Sequence, residues 1–170
     1  DIIIVTRNDM NHAPEIYSYN LKKKTWLQIT KTNDDAYAKL ALPKYERRYI
    51  TTTDGKKMLV WVILPPNFDK NKKYPALLYC QGGPQSPLTQ SYSFRWNFSL
   101  MASQGYVVVA PNRRGMYGHG QEWNEQISKD WGGQVMDDYL SAIDDVSKES
   151  YVDKARLGCI GASYGGYSAY

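Results

Sequence analysis

The chain has 170 residues, of which 42% are hydrophobic and 22% are charged, and its net charge is +4 at pH 7. This length suits one domain, or a small piece joined to most of another, and the composition excludes a disordered chain. No apolar stretch approaches the roughly 20 residues of a membrane-spanning helix. The lysines at residues 22–24 lie between two strand-like segments, where a solvated hairpin turn explains them better than a nucleic-acid surface does.

The N-terminus, Asp1-Ile2-Ile3-Ile4-Val5, has neither an initiator methionine nor the basic start of a signal peptide. We therefore expect the chain to be an internal piece of a longer protein. The sequence leaves periplasmic and cytoplasmic locations both open.

Three short segments near the N-terminus have the pattern of strands separated by polar turns. Residues 2–6 are apolar and β-branched, whereas residues 15–19 and 25–30 alternate between apolar and polar. Three antiparallel strands of this kind fit one propeller blade or a small meander, and they are too few to be stable alone. We assign residues 1–37, which end in a polar linker, to this segment and residues 38–170 to a second unit.

The second unit has the pattern of an α/β fold. Its strands are expected at residues 47–53, 58–64, 75–80, 106–110 and 157–160, and its helices at residues 94–104 and 135–148. Hydrophobic strands that alternate with helices imply a mostly parallel sheet with helices on both faces. Such sheets hold their active sites at the carboxyl ends of the strands.

Two cysteines, Cys80 and Cys159, lie in apolar strand-like runs without the spacing of metal ligands. We expect both to be buried free thiols. If the strands that the two cysteines end are neighbours in the parallel sheet, a disulfide between them is geometrically awkward. No motif in the chain indicates a metal or a cofactor.

The most informative motif is Gly-x-Ser-x-Gly-Gly at residues 161–166, directly after the last predicted strand. Gly161 and Gly165 let the strand and the next helix approach closely, so Ser163 can occupy a strained backbone geometry with its Oγ exposed. The N–H groups that open the next helix then face the position where an oxyanion would form. The motif alone is weak, but its strand–turn–helix context favours Ser163 as a nucleophile.

Five further motifs precede the elbow in the segment from about residue 45 to residue 170. They are Leu-Pro-Pro-Asn-Phe at 64–68, Lys-Tyr-Pro at 73–75, Gly-Gly-Pro at 82–84, Asn-Arg-Arg-Gly at 112–115 and Asp-Trp-Gly-Gly at 130–133. In this order they resemble the catalytic domain of the prolyl oligopeptidase family of serine peptidases, in its dipeptidyl-peptidase and acylaminoacyl-peptidase branch. The resemblance implies an α/β-hydrolase domain preceded by the last blade of a β-propeller.

The resemblance also implies roles for individual residues. Ser163 would be the acylated nucleophile, and the main-chain amides of Tyr164 and Gly83 would hold the oxyanion. Relatives usually carry His or Tyr before the Gly pair, where this chain has Gln81; its side chain either donates to the oxyanion or shapes the loop. The implied substrates are short peptides, and no cofactor is implied.

The Asp and His of the catalytic triad follow the serine in this fold, so we expect both beyond Tyr170. Without a base a serine alcohol is barely nucleophilic, and we expect the isolated chain to be inactive. Of the two histidines, His12 is assigned to a solvent-facing turn and His119 to packing of a Gly-rich loop rather than to catalysis.

Two other functions share these features. A carboxylesterase or lipase on the same fold would carry the same elbow, and a non-catalytic binding module would keep the sheet without the triad. Arg113 and Arg114 could bind a substrate carboxylate or carbonyl, although anchoring of the Gly-rich loop at residues 112–120 is favoured. An uncovered last strand would favour self-association into a homo-oligomer.

Overall fold

The computed structural model describes all 170 residues and contains two separate β-sheets. The first sheet is antiparallel, in the order β1-β2-β3, and consists of β1 (Ile2–Arg7), β2 (Glu15–Asn20) and β3 (Thr25–Gln28). The three predicted N-terminal strands are therefore confirmed. The expected linker instead contains a short helix, α1 (Asp34–Tyr37), which follows the sheet.

The second sheet has five strands in the order β4-β5-β7-β6-β8. They are β4 (Lys44–Thr51), β5 (Lys57–Leu64), β6 (Tyr74–Cys80), β7 (Val107–Pro111) and β8 (Val152–Gly161). Strand β6 runs parallel to both of its neighbours, β7 and β8, whereas β5 is antiparallel to β4 and β7. The predicted α/β class is confirmed, and β6, β7 and β8 form the parallel part of the sheet.

Helices cover both faces of this sheet. They are α2 (Phe98–Ser103), α3 (Gln121–Glu125), α4 (Gln134–Ser147) and α5 (Tyr164–Ala169). Alternate side chains of β7 enter different cores: Val107 and Val109 pack on the face covered by α4, and Val108 packs on the face covered by α2. None of these helices has the length and hydropathy needed to cross a membrane.

Helix α2 is shorter than predicted, since the segment before residue 98 is a loop. Asn97 caps the helix by accepting a hydrogen bond from the Leu100 N–H at 3.0 Å, and Phe94 is 81% exposed. The apolar spacing of Phe94 and Phe98 suggested one continuous helix, but the cap fixes its start at Phe98. Gly105, at φ +91°, follows the helix in the conformation that commonly ends one.

The turn between β1 and β2 docks onto the second sheet beside α2. Met10 is buried in the core that contains Phe98. The Ser99 hydroxyl donates to Asn11 Oδ1 at 2.6 Å, and the Tyr92 N–H donates to Asn8 Oδ1 at 2.9 Å. The N-terminal segment is therefore tied to both α2 and the loop that precedes it.

Both cysteines are free thiols in neighbouring parallel strands, as expected. Cys80 is buried, and this burial raises the pKa of its thiol to about 12. Cys159 is exposed, so the expectation that it would be buried is wrong. Its side chain faces an open cavity of about 560 Å³ that Leu140, Ile143 and Ala169 also line.

A buried ion pair joins the loop after β7 to α4. The side chains of Arg114 and Asp138 are 1% and 0% exposed. The Asp138 carboxylate accepts the Arg114 N–H at 2.9 Å and lies 3.6 Å from the guanidinium, which also donates to Asp54 at 2.6 Å. Removing Arg114 would leave the Asp138 charge buried and uncompensated, and removing Asp138 would leave Arg114 with only the partly exposed Asp54.

We expect Asp138→Ala to lower the free energy of unfolding by about 3–5 kcal/mol, because Arg114 loses its buried counter-charge. Urea unfolding of the full-length protein measures this loss. Asp144→Ala, on an exposed turn of the same helix, is the matched control and should change stability by less than about 0.5 kcal/mol. Equal effects of the two substitutions would contradict the importance of the pair.

Candidate active site

Ser163 lies in the sharp turn between β8 and α5. Its backbone is at φ 58° and ψ −127°, a left-handed conformation that side chains rarely adopt, and the residue is exposed. Strained residues of this kind persist only where the surrounding structure fixes them, and they are concentrated at functional sites. The strained geometry expected from the Gly-x-Ser-x-Gly pattern is therefore present.

The turn depends on glycines where main-chain segments meet. A Cβ at Gly161 would overlap the carbonyl group of Gly165, and a Cβ at Gly165 would overlap the carbonyl oxygen of Cys80 at the end of β6. Any side chain at either position would force backbone atoms apart. The ends of β6 and β8 and the start of α5 are consequently in direct main-chain contact.

The loop after β6 lies against the elbow. A Cβ at Gly82 would be 2.9 Å from the Ala162 carbonyl oxygen and 3.6 Å from the Ser163 Cβ. Gly83 is at φ +123°, again a conformation that favours glycine. Gln81, Gly83 and Ser163 line one cavity of about 200 Å³.

Two main-chain N–H groups beside this cavity have no acceptor within the chain. Tyr164 is the first residue of α5, so its N–H has no intrahelical partner. The N–H groups of Gly83 and Tyr164 make no backbone hydrogen bond. Free amide donors next to an exposed serine hydroxyl form a site that can stabilise negative charge on a substrate oxygen.

The main chain and the side chain of Gln81 are in different environments. Its carbonyl oxygen accepts hydrogen bonds from Arg113 at 3.0 Å and from the Tyr139 hydroxyl at 3.2 Å. Its side chain is half-buried and lines the cavity of Ser163. The carboxamide is therefore available to a ligand in that cavity.

Arg113 and Arg114 are both completely enclosed, with exposures of 0% and 1%. Neither guanidinium can reach a substrate, and the anchoring role favoured by the sequence is the one observed. Arg113 binds the loop after β6, whereas Arg114 binds the turn between β4 and β5 and helix α4.

Neither histidine lines the cavity of Ser163. His12 lies in the turn between β1 and β2 with its side chain 45% exposed, as expected, and its Nδ1 lies 2.9 Å from the Asp9 carboxylate. His119 is exposed, its ring lies 6.4 Å from that of Trp123, centroid to centroid, and desolvation by the surrounding loop lowers its pKa. The loop-packing role of His119 stays a prediction.

Trp131 lies beside the elbow and is 52% exposed. Its carbonyl oxygen accepts the Tyr164 hydroxyl at 2.8 Å, and its ring contacts the Tyr164 ring edge-on at 5.4 Å. Tyr164 is 5% exposed, and burial raises the pKa of its phenol. The side chain of Tyr164 thus anchors the start of α5.

Four residues that line the cavity were not identified from the sequence. They are Tyr79, Ser86, Arg95 and Trp96. The predicted helix at residues 94–104 placed the last two of these on a helix rather than in a loop. The available signal was Asn97, a strong N-cap residue, which would have left Arg95 and Trp96 in the loop before α2.

Comparison with known proteins agrees with this geometry. Residues 92–170 match the model of the prolyl oligopeptidase family. Dipeptidyl-peptidase 5 of Porphyromonas gingivalis is 53% identical over 170 residues, which cover 100% of this chain and 25% of that protein. The chain is therefore similar to the prolyl oligopeptidase family over residues 92–170 and to one of its dipeptidyl-peptidases over its whole length. It spans about a quarter of the length of the curated relatives that it matches.

Solved structures show the same fold. Acylaminoacyl peptidase of Pyrococcus horikoshii has a TM-score of 0.88 at 24% identity, over 99% of this chain and 26% of that one. An acylaminoacyl peptidase in complex with Z-Gly-Gly-Phe-chloromethyl ketone has a TM-score of 0.88 at 25% identity, over 99% of this chain and 27% of that one. The family fold expected from the motifs is confirmed.

We expect Gly165→Ala to lower the free energy of unfolding by about 1–3 kcal/mol or more, because the new methyl group overlaps the carbonyl of Cys80. Gly166→Ala is the control, since its Cβ would meet only the Gly161 carbonyl oxygen, at an ordinary 3.8 Å. Urea unfolding of the two variants makes the comparison. Equal stability of both variants would show that the elbow is not packed as described.

Proposed function

We propose that the full-length protein containing this chain is a serine peptidase that cleaves short peptides through an acyl-enzyme on Ser163. The observation that carries the proposal is the strained, exposed Ser163 beside the unpaired N–H groups of Gly83 and Tyr164. The similarity to the prolyl oligopeptidase family supports the same reaction.

In the proposed reaction the Ser163 oxygen forms a bond to the carbonyl carbon of the substrate, and its proton passes to a base. The carbonyl oxygen becomes an oxyanion that accepts hydrogen bonds from the N–H groups of Gly83 and Tyr164. The amine then leaves with a proton, and water hydrolyses the acyl-enzyme. Neither His12 nor His119 reaches this cavity, so the base is a group other than these two.

The relatives indicate which peptides are the best candidates. The protein that matches at 53% identity over the whole chain is named a dipeptidyl-peptidase, and one structural relative holds a peptide-like chloromethyl ketone. We therefore propose that dipeptides released from the N-terminus of short peptides are the main products. N-acylated aminoacyl peptides are the second candidate, favoured by the structural similarity to acylaminoacyl peptidases.

We further infer that residues 1–37 are part of a β-propeller blade and that residues 38–170 are the beginning of the catalytic domain. The separate three-stranded sheet supports this division. Large apolar side chains on that sheet are exposed, among them Ile4 and Leu27 at 61% and 67%. Exposed apolar surface of this kind is typical of an element that packs against another one.

Ser163→Ala in the full-length protein is expected to abolish labelling by a fluorophosphonate and to lower kcat on dipeptidyl anilides by at least about 10⁴-fold, because no acyl-enzyme can form. Ser168→Ala removes a hydroxyl of the same helix that bonds the Tyr164 carbonyl oxygen, and it should keep the labelling. Labelling that persists in Ser163→Ala would remove Ser163 as the nucleophile. Turnover of short-chain esters alone, without any amide, would instead indicate an esterase.

If the Gln81 side chain donates to the oxyanion, Gln81→Ala is expected to lower kcat by about 10²-fold with little change in KM, because removal of one oxyanion donor has an effect of this size. Gln85→Ala is the matched control on the same loop, since the Gln85 side chain bonds Asn124, away from the cavity. Steady-state kinetics on one dipeptidyl anilide measures both variants. An unchanged kcat in Gln81→Ala would limit Gln81 to shaping the loop.

A further inference from the structure

We propose that Arg113 is a positioning residue that holds the two main-chain oxyanion donors, Gly83 and Tyr164, at a fixed separation. The inference rests on the proposed function, because it assigns to Arg113 the alignment of the amides that the reaction would use. Three groups of contacts support it.

The first contacts fix the loop that carries Gly83. The Arg113 guanidinium donates to the Gln81 carbonyl oxygen at 3.0 Å and to the Pro84 carbonyl oxygen at 2.5 Å. These two acceptors flank the Gly pair on either side. A planar guanidinium holds both acceptors at once in a fixed geometry, which the ammonium group of a lysine cannot do.

The second contact fixes the start of α5. The Arg113 guanidinium carbon lies 4.9 Å from the centroid of the Tyr164 ring, which is buried beneath it. The Tyr164 hydroxyl is held in turn by the Trp131 carbonyl oxygen at 2.8 Å. The side chain of the second donor residue is therefore clamped between Arg113 and the Trp131 loop.

The third contacts link the same guanidinium to α4 through Tyr139. The Tyr139 hydroxyl accepts the Arg113 Nε–H at 3.0 Å and donates to the Gln81 carbonyl oxygen at 3.2 Å. Tyr139 is buried, at 3% exposure, and its ring lies 5.6 Å from the guanidinium. The hydroxyl braces both the arginine and the loop that the arginine holds.

The positive charges of Arg113 and Arg114 have different surroundings. All four hydrogen bonds of Arg113 end on neutral oxygens, three carbonyls and one hydroxyl. Arg114 instead faces the carboxylates of Asp54 and Asp138. A buried positive charge without a contacting carboxylate favours negative charge that develops nearby, so the position of Arg113 would also stabilise an oxyanion.

The test compares Arg113→Met with Arg114→Met in the full-length protein. Both substitutions remove a fully buried arginine, but only the first releases the loop and Tyr164. We expect Arg113→Met to lower kcat by about 10²-fold, to leave KM within about threefold, and to weaken a peptidyl boronic acid by the same factor as kcat. Arg114→Met should lower the melting temperature while leaving the kcat of the folded fraction within about threefold of the original.

Two milder variants keep the test decisive if Arg113→Met does not fold. Tyr139→Phe removes only the bridging hydroxyl. Arg113→Lys keeps the positive charge but loses the planar guanidinium that bonds the carbonyl oxygens of Gln81 and Pro84 together. Both should lower kcat and boronic acid affinity together, by less than Arg113→Met. Unchanged values in Tyr139→Phe and Arg113→Lys would overturn the proposal.

The remaining outcomes separate this proposal from the proposed function. Equal loss of kcat in Arg113→Met and Arg114→Met, or a loss confined to KM, would reduce Arg113 to a structural role. Activity that depends on Ser163 but not on Arg113 would overturn the positioning role alone. Activity that survives Ser163→Ala would overturn the proposed function and this inference with it.

Discussion

The candidate site depends on three main-chain segments that meet without side chains between them. The end of β6, the end of β8 and the first turn of α5 touch through Cys80, Gly161 and Gly165. This contact brings the Gly82–Gly83 loop next to Ser163, and it requires β6 and β8 to be neighbouring parallel strands. Since packed interiors do not yield easily to added volume, the arrangement tolerates almost no change at these positions.

Two adjacent buried arginines, Arg113 and Arg114, lie in the loop after β7 and stabilise different parts of the domain. Arg114 is neutralised by carboxylates and joins the hairpin of β4 and β5 to α4. Arg113 is surrounded by carbonyl oxygens and aromatic rings at the edge of the candidate site. Burial of an arginine is tolerated when its N–H groups are bonded, and the two residues meet that requirement in different ways.

Features set by short-range backbone requirements could be predicted from the sequence. The elbow at Ser163 and its flanking glycines follow from local geometry, and the strands of the second sheet follow from apolar runs between turn residues. The helix assigned to residues 94–104 was too long, because the spacing of Phe94 and Phe98 imitates a helical face while Asn97 decides where the helix begins. The contacts of Arg113 with Tyr139 and Tyr164 could not be predicted, since they join residues that only the tertiary fold brings together.

The turn between β1 and β2 has a mechanical consequence for the region around Ser163. Asn8 and Asn11 of this turn accept hydrogen bonds from Tyr92 and Ser99. Between these two residues lie Arg95 and Trp96, which line the serine cavity. These hydrogen bonds and the buried Met10 couple the position of the N-terminal sheet to that of the rim. A tilt of the small sheet would therefore displace Arg95 and Trp96 and change the width of the cavity mouth.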